Sequence, residues 1–300
     1  MSIPLKSDAL RRLVTGFLRE DVGSGDLTTN FIVPATARAC GCFITRQGCV
    51  LAGLGILPHV FRILDPFTRW EYRFRDGQRV GEGQIIASVS GRARALLTGE
   101  RVALNILQHL SGIASLTQKY VEAVENTGAG IYDTRKTTPG WRTLEKYAVR
   151  CGGGHNHRRG LFDAILIKDN HLAVAGGVQP AVERARRASP RNRALEVEVS
   201  SPDQLQEALD LQVRHILLDN MTPRQARHCI DLIRRRAGGR RVIVECSGGI
   251  TLQSVKSYAR AGADWISVGA LTHSAPAVDI SFEIELGSSG RTSQGARRGR

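Results

Sequence analysis

Within residues 8–20, apolar side chains fall at 10, 13, 14, 17 and 18, the spacing of one helical face, so the chain opens on an amphipathic helix. From about 31 to 97 the pattern shortens to β-rich runs punctuated by glycine: Ala39–Thr45, Cys49–Gly53, Trp70–Phe74 and Ile85–Ser90. These predict an antiparallel or mixed sheet. A long helical stretch follows from Thr98, through LNILQHL and SLTQKYVEAVENTG, with Gly112 as a candidate break.

A different rhythm begins at 131. Short apolar runs recur at 131–134, 163–167, 194–199, 214–218, 241–246 and 264–268. Helix-start chemistry lies between them. Ser201-Pro202 with Gln204, and Thr222-Pro223 with Gln225, each offer an N-cap, a proline in the first turn and a capping-box partner. Thr251 is placed to cap the next helix and Gly262 to stop it. Six strand–helix units in succession call for a parallel sheet, open or closed into a barrel. The runs end at Arg135/Lys136, Lys168, Glu198, Asp219, Ser247 and Gly269. A polar or glycine residue at the carboxyl end of each strand is the pattern of a barrel mouth, whereas an open sheet gathers such residues at one crevice.

Composition narrows the class. Hydrophobic residues make up 42% and charged residues 23% of the 300, as in a soluble globular protein. No window approaches eighteen uninterrupted apolar residues, so no membrane span is expected. The N-terminus, MSIPLKSDALRRL, lacks a long apolar core and a cleavage site, so secretion is not indicated. The six cysteines, at 40, 42, 49, 151, 229 and 246, show no CxxC pair and read as reduced thiols of a cytoplasmic protein. Of the net charge of +14, Arg291, Arg297, Arg298 and Arg300 supply four in the tail GSSGRTSQGARRGR, which is predicted to be disordered. The remaining charge suits anionic metabolites, acidic lipid or nucleic acid. A basic nucleic-acid-binding protein is disfavoured, because aromatics are only 5% and none interleave with basic runs.

The stretch DTRKTTPG, 133–140, puts two cations where a strand ends. Successive side chains on a strand diverge, so Arg135 and Lys136 need not serve the same ligand. In RCGGGHNHRRGLFD, 150–163, the glycines can end a helix and let backbone approach a ligand. His155, His157 and Cys151 raise the question of zinc, but the remaining ligand spacing is missing and Arg158-Arg159 would repel a cation. Anion binding by His157 and Arg158 is the alternative. Lys168 could form a Schiff base, yet Arg135, Lys136 and Arg158 crowd the same mouth and suit a polyanionic substrate better. Glu196 and Glu198 share one strand face, with Glu198 nearer the mouth. A carboxylate at Glu198 or Asp219 can bind ribose hydroxyls, hold Mg²⁺ or stabilise a developing carbocation. The turns SGG, 247–249, and VGALTH, 268–273, stand where such barrels hold phosphate. Together these features describe an enzyme joining an anionic ring to a phosphorylated sugar.

Several stretches, in order, carry a resemblance: EDVGSGDLTT (20–29), ERVALNILQHLSGIA (100–114), DTRKTTPGWR (133–142), EKYAVRCGGGHNHRRGLFDAILIKDNH (145–171), EVEV (196–199), LLDN (217–220), SGGI (247–250) and VGALTH (268–273). Over residues 8–286 the chain resembles the quinolinate phosphoribosyltransferase family, also called carboxylating nicotinate-nucleotide pyrophosphorylases. The resemblance implies an α/β fold of two domains. An N-terminal α/β sandwich would span 1–112 and be joined by 272–286. An incomplete parallel α/β barrel would span 113–271, leaving 287–300 as the disordered basic tail. It further implies that the chain's last helix returns to the sandwich, and that a homodimer shares its active sites. The implied reaction converts quinolinate and phosphoribosyl pyrophosphate (PRPP) to nicotinate mononucleotide, pyrophosphate and CO₂. Arg135, His157, Arg158 and Lys168 would hold quinolinate, with Arg101 reaching in from the partner subunit. Lys136, Ser247, Gly248, Gly249, Gly269, Ala270 and His273 would hold PRPP. Glu198 and Asp219 would face the ribose and Mg²⁺, partly through water or substrate. Lys136, Lys168, Glu198 and Asp219 are the implied catalytic set. Ser115 stands where threonine is expected, and Cys246 where a small residue is usual. A molybdenum-transport-associated ModD-type relative shares the DTRKTTPG and GGG…HR core and would act on another anionic ring. HNHRRGL and Tyr147 favour the quinolinate enzyme.

Overall fold

The computed structural model describes residues 3–189 and 194–286. The opening helix, Ser7–Val22, buries Leu10, Val14 and Leu18 as its periodicity requires. Among the described residues twelve strands follow in chain order: β1 (Arg38–Thr45), β2 (Cys49–Val50), β3 (Arg69–Tyr72), β4 (Arg79–Val80), β5 (Ile85–Arg92), β6 (Gly130–Tyr132), β7 (Ile165–Ile167), β8 (Leu195–Val199), β9 (His215–Asp219), β10 (Ile243–Ser247), β11 (Trp265–Ser267) and β12 (Ile280–Leu286). Strands β12-β1-β5-β3 form an antiparallel sheet, and β2 and β4 make a small two-stranded one. The β-rich run at Cys49–Gly53 is shorter than expected, because Gly53 at φ 107° turns the chain into a single 3-10 turn, Leu54–Ile56.

Alternation builds this first layer. Along β1, Ala39, Phe43 and Thr45 point into the core. Phe43 meets the Phe282 ring at 4.6 Å, and Phe61 lies 5.5 Å from Trp70. Gly41 lies beneath Phe282, where a Cβ would come within 2.0 Å of the ring. The expected returning helix is therefore corrected: residues Ile280–Leu286 form a strand, paired antiparallel to β1 with Phe43 opposite Phe282. Its sequence, ISFEIEL, alternates apolar and polar residues, and that period of two buries one face only as a strand.

The helix Ala93–Ala123 ties the sheets together, burying Leu96, Ile106, Leu107, Leu110 and Ile113 among others. It starts five residues before Thr98 and runs unbroken through Gly112. The glycine has a packing role instead: a Cβ there would lie 2.1 Å from the Pro276 carbonyl oxygen, so it lets the returning chain cross the helix closely. Gly112→Ala is expected to cost about 1–3 kcal/mol through overpacking, measured as a fall in thermal midpoint.

The second sheet is parallel, in the order β6-β11-β10-β9-β8-β7. Its strands are buried on both faces and accordingly apolar-rich, as in HILLD of β9. The circle stays open between β6 and β7, where no strand pairing is present among the described residues. His155 partly fills that seam through a lone parallel bridge to Tyr132, its N–H donating to Ile131 O at 2.8 Å. Between the strands, Ser201 and Thr222 cap their helices as expected, and Gly262 ends Val255–Ala261 in the left-handed region. Thr251 does not cap that last helix. Its hydroxyl accepts from Ser254 N–H in the turn before it, and Ser254 takes the N-cap position. The tail, 287–300, lies outside the described residues.

Candidate active site

The carboxyl ends of the parallel strands surround a cavity of about 570 Å³. It brings together Arg135, Lys136, His157, Arg158, Lys168, Glu198, Asp219, Ser247, Gly248, Gly249, Gly269, Ala270 and His273. Arg101 is not among its lining residues; it is exposed on the helix Ala93–Ala123.

The loop after β6 presents Arg135 and Lys136, and several contacts fix its path. Arg142 Nε donates to Thr137 Oγ1 at 2.9 Å and its Nη2 to Arg135 O at 3.3 Å. The Thr272 hydroxyl donates to Lys136 O at 2.7 Å. Glu145, fully buried, accepts from Thr138 N–H at 3.1 Å and meets His109 Nε2 at 3.0 Å. Arg135 is half-buried, and its Nε has no partner among the described residues. A buried guanidinium donor without a partner is costly and calls for an acceptor from outside the chain. Arg158 donates to Ala164 O at 3.2 Å. Burial first, and then the neighbouring Arg135 charge, lower its pKa. Two guanidinium groups that oppose one another in a cavity are a ready site for a dicarboxylate.

A buried ion pair sets the 155–158 segment beside this loop. Asp133 and Lys146 are in direct contact and almost wholly buried. Asp133 also accepts from Asn156 Nδ2 at 2.6 Å and from His157 N–H at 2.9 Å. Burial pushes Asp133 up and Lys146 down, each opposed by the attraction of the other. This arrangement delivers Arg158 to the mouth, but it turns the His157 ring inward. His157 Nε2 lies 3.2 Å from both Glu196 and Glu245, and Nδ1 accepts from Arg158 N–H at 2.7 Å. Both ring nitrogens thus have contacts within the chain. The zinc grouping weighed for His157 with His155 and Cys151 does not form: Cys151 is buried at a helix end and His155 stacks on Tyr132 at 5.0 Å.

In the same cavity, Lys168 Nζ lies 3.5 Å from Glu198 Oε2. Lys168 is half-exposed, so the pair adds little to stability. Burial raises the pKa of Glu198 and of Asp219, while the nearby lysines oppose the shift. Carboxylates raised in this way have unmet demand for positive charge. Hard oxygen donors at the rim of a phosphate-sized cavity fit Mg²⁺, which binds one or two carboxylates and completes its shell with water or phosphate.

Glycine lets the last two loops close in. Gly248, at φ 95°, lies so near Asn220 that a Cβ would approach its Oδ1 to 2.1 Å. Gly269 lies against the Lys136 stem and the His273 ring, at 3.0 and 3.1 Å from a built Cβ. Asn220, itself at φ 53°, donates to Asp219 Oδ2 at 2.6 Å and orients that carboxylate. In the sequence Asn220 stands within LLDN with no local signal of this role. Asp133, Lys146, Glu145 and Thr272 were also unassigned, since their roles depend on partners distant in the chain.

The description "Quinolinate phosphoribosyl transferase, C-terminal domain" matches residues 113–283, and the corresponding N-terminal domain matches 26–111. The chain belongs to the quinolinate phosphoribosyl transferase family. The two matched segments meet inside the helix Ala93–Ala123. Among relatives, the nicotinate-nucleotide pyrophosphorylase [carboxylating] of Mycobacterium leprae is 44% identical over 282 residues, covering 92% of this chain and 98% of that one. A probable enzyme of the same name from Bacillus subtilis is 41% identical over 277 residues, covering 92% and 94%. The crystal structure of NadC from Streptococcus pyogenes superposes with a TM-score of 0.89 at 41% identity, covering 96% of this chain and all of that one. The family's nicotinate-nucleotide pyrophosphorylase from Francisella tularensis gives 0.88 at 37% identity, covering 94% and 98%. No helix among the described residues is long and apolar enough to cross a membrane.

Proposed function

We propose that this protein transfers the phosphoribosyl group of PRPP to quinolinate with loss of CO₂, giving nicotinate mononucleotide and pyrophosphate for NAD biosynthesis. The observation that carries the reading is that Arg135, with an Nε unpartnered among the described residues, and Arg158 line one cavity together with Glu198 and Asp219. Family membership supports it. Arg135, Arg158 and Lys168 hold the ring carboxylates, with His157 beside them. Lys136, His273, Ser247, Gly248, Gly249, Gly269 and Ala270 cradle PRPP.

The pyridine nitrogen lone pair attacks ribose C1 as the C1–oxygen bond breaks, and that electron pair leaves with pyrophosphate. Positive charge gathers on the ribose in between, and Glu198 and Asp219 stabilise it. When bound by these two carboxylates, Mg²⁺ supplies charge neutralisation for the leaving group. The ribosylated ring nitrogen is now cationic. The bond to the adjacent carboxylate breaks, CO₂ leaves, and the electron pair stays on the ring carbon until solvent protonates it. For this second step the chain chiefly orients the ring by its carboxylates. Activity with another anionic ring and none with quinolinate would overturn the assignment in favour of the ModD-type reading.

The site is also proposed to be shared within a homodimer, with Arg101 supplied by the partner subunit. Support comes from its exposed place outside the chain's own cavity. An inactive Arg101→Ala chain mixed with an inactive Lys136→Ala chain is expected to recover about a quarter of wild-type activity through hybrid dimers. That figure follows from random assembly, in which half of the dimers are hybrid and each has one intact site. No recovery after verified subunit exchange contradicts sharing. A cytoplasmic location is proposed as well, since all six cysteines are free thiols.

A further inference from the structure

Below the mouth, four side chains that the reaction scheme leaves unexplained close a ring. Glu196 on β8 and Glu245 on β10 are separated by β9, and His215 of β9 lies between them. His215 Nε2 is 3.4 Å from Glu196 Oε1 and 3.3 Å from Glu245 Oε2. His157 occupies the opposite corner, 3.2 Å from each carboxylate. Carboxylate and imidazole alternate around the ring. Each of Glu196, His215 and Glu245 is at least nine-tenths buried. None of His157 Nε2, Glu196 Oε1, His215 Nε2 and Glu245 Oε2 has a well-aligned hydrogen bond, because each imidazole nitrogen is shared between two oxygens. Trp265 stands edge-on to His215 at 4.6 Å and to His157 at 6.0 Å, which limits how either ring can turn.

We infer that His215 is a positioning residue for the substrate site: it bridges Glu196 and Glu245 so that together they hold the His157 ring, and with it the start of Arg158, in the orientation the mouth requires. Without His215, two buried carboxylates share His157 as their one imidazole. They repel one another, and the His157 ring is free to follow either. Glu245 is held well below the usual carboxylate range because His157 and His215 outweigh the effect of burial. Glu196 is pushed up by burial and by the Glu245 charge.

The ring could be held by protons or by a cation, and one contact decides. Arg158 N–H lies 2.7 Å from His157 Nδ1, and Glu196 and Glu245 raise the pKa of His157 to about 10 against the effect of burial, so Nε2 keeps its proton between the carboxylates. A metal-bound imidazole presents Nε2 bare and usually donates from Nδ1, the reverse arrangement. The ring is therefore assigned to protons.

The substrate part of this inference rests on the quinolinate reading, so the test has an arm that does not. In ¹⁵N-histidine NMR of the full chain, His157 is expected to be protonated on Nε2 in the wild type and in His215→Gln, which keeps a donor near the Nε2 position. His215→Leu is expected to lose that signature. By calorimetry, His215→Leu should weaken quinolinate binding about tenfold or more, with His215→Gln and the KM for PRPP within about twofold of wild type. Quinolinate affinity unchanged in His215→Leu would overturn the inference. So would a wild-type His157 protonated on Nδ1 alone, or one zinc ion per chain that survives chelation and is lost in His215→Leu. A wild type that neither binds nor turns over quinolinate defeats the proposed function instead, and the NMR measurement then decides this inference alone.

Discussion

Arg135→Ala is expected to raise the KM for quinolinate about a hundredfold or more while the KM for PRPP stays near its wild-type value. The half-buried guanidinium has an Nε without a partner among the described residues, and it stands beside Arg158. Truncating one side of such a charge pair costs about 2–5 kcal/mol. Lys136→Ala should show the opposite split. Its stem lies on Gly269 and beside His273, toward the loops that end β10 and β11, so its loss should fall on PRPP. Arg135→Lys should rescue poorly, because an ammonium cannot reproduce the two-point fork. Steady-state kinetics with each substrate varied separately makes the comparison. Equal effects of both alanine variants on both substrates would mean that the two cations do not divide the ligands.

Lys146→Met is expected to destabilise the fold by about 3–5 kcal/mol, because it strands Asp133 as an uncompensated buried charge. For a chain of this size that corresponds to a fall in thermal midpoint of roughly 10 °C. Asp133 also holds Asn156 and the His157 backbone, so the variant should lose quinolinate affinity even at temperatures where it remains folded. Combining it with Asp133→Asn should recover part of the stability, since removing both charges ends the burial cost. A Lys146→Met protein as stable as wild type would show that the pair does not anchor the segment.

Much of this architecture was legible in the chain. The six-unit rhythm from residue 131, and the polar residue ending each unit, located the mouth because parallel strands bring their carboxyl ends to one side. Thirteen residues expected there line one cavity. Local signals failed where the deciding contact was remote. Gly112 looks like a helix breaker until Pro276 is seen to cross it. The resemblance implies that 272–286 joins the first domain through a returning helix, whereas it is the strand ISFEIEL that pairs with β1. His157 lines the cavity as expected, but the nearness of Glu196 and Glu245, from β8 and β10, to its ring is not visible in the local sequence. The pairing of Asp133 with Lys146 was equally hidden, since a lysine on an amphipathic helix ordinarily reads as solvated. In each case the chemistry of the residue was visible and its partner was not.

In the proposed reaction one site couples phosphoribosyl transfer to decarboxylation of the ring. The direct measurement is to incubate the full-length protein with Mg²⁺, PRPP and quinolinate labelled in the carboxylate next to the ring nitrogen, and to follow labelled CO₂ and pyrophosphate together. Both are expected to appear in equal amounts with nicotinate mononucleotide, and neither to form when PRPP is omitted. CO₂ release without PRPP, or pyrophosphate release with the ring carboxylate retained, would contradict it.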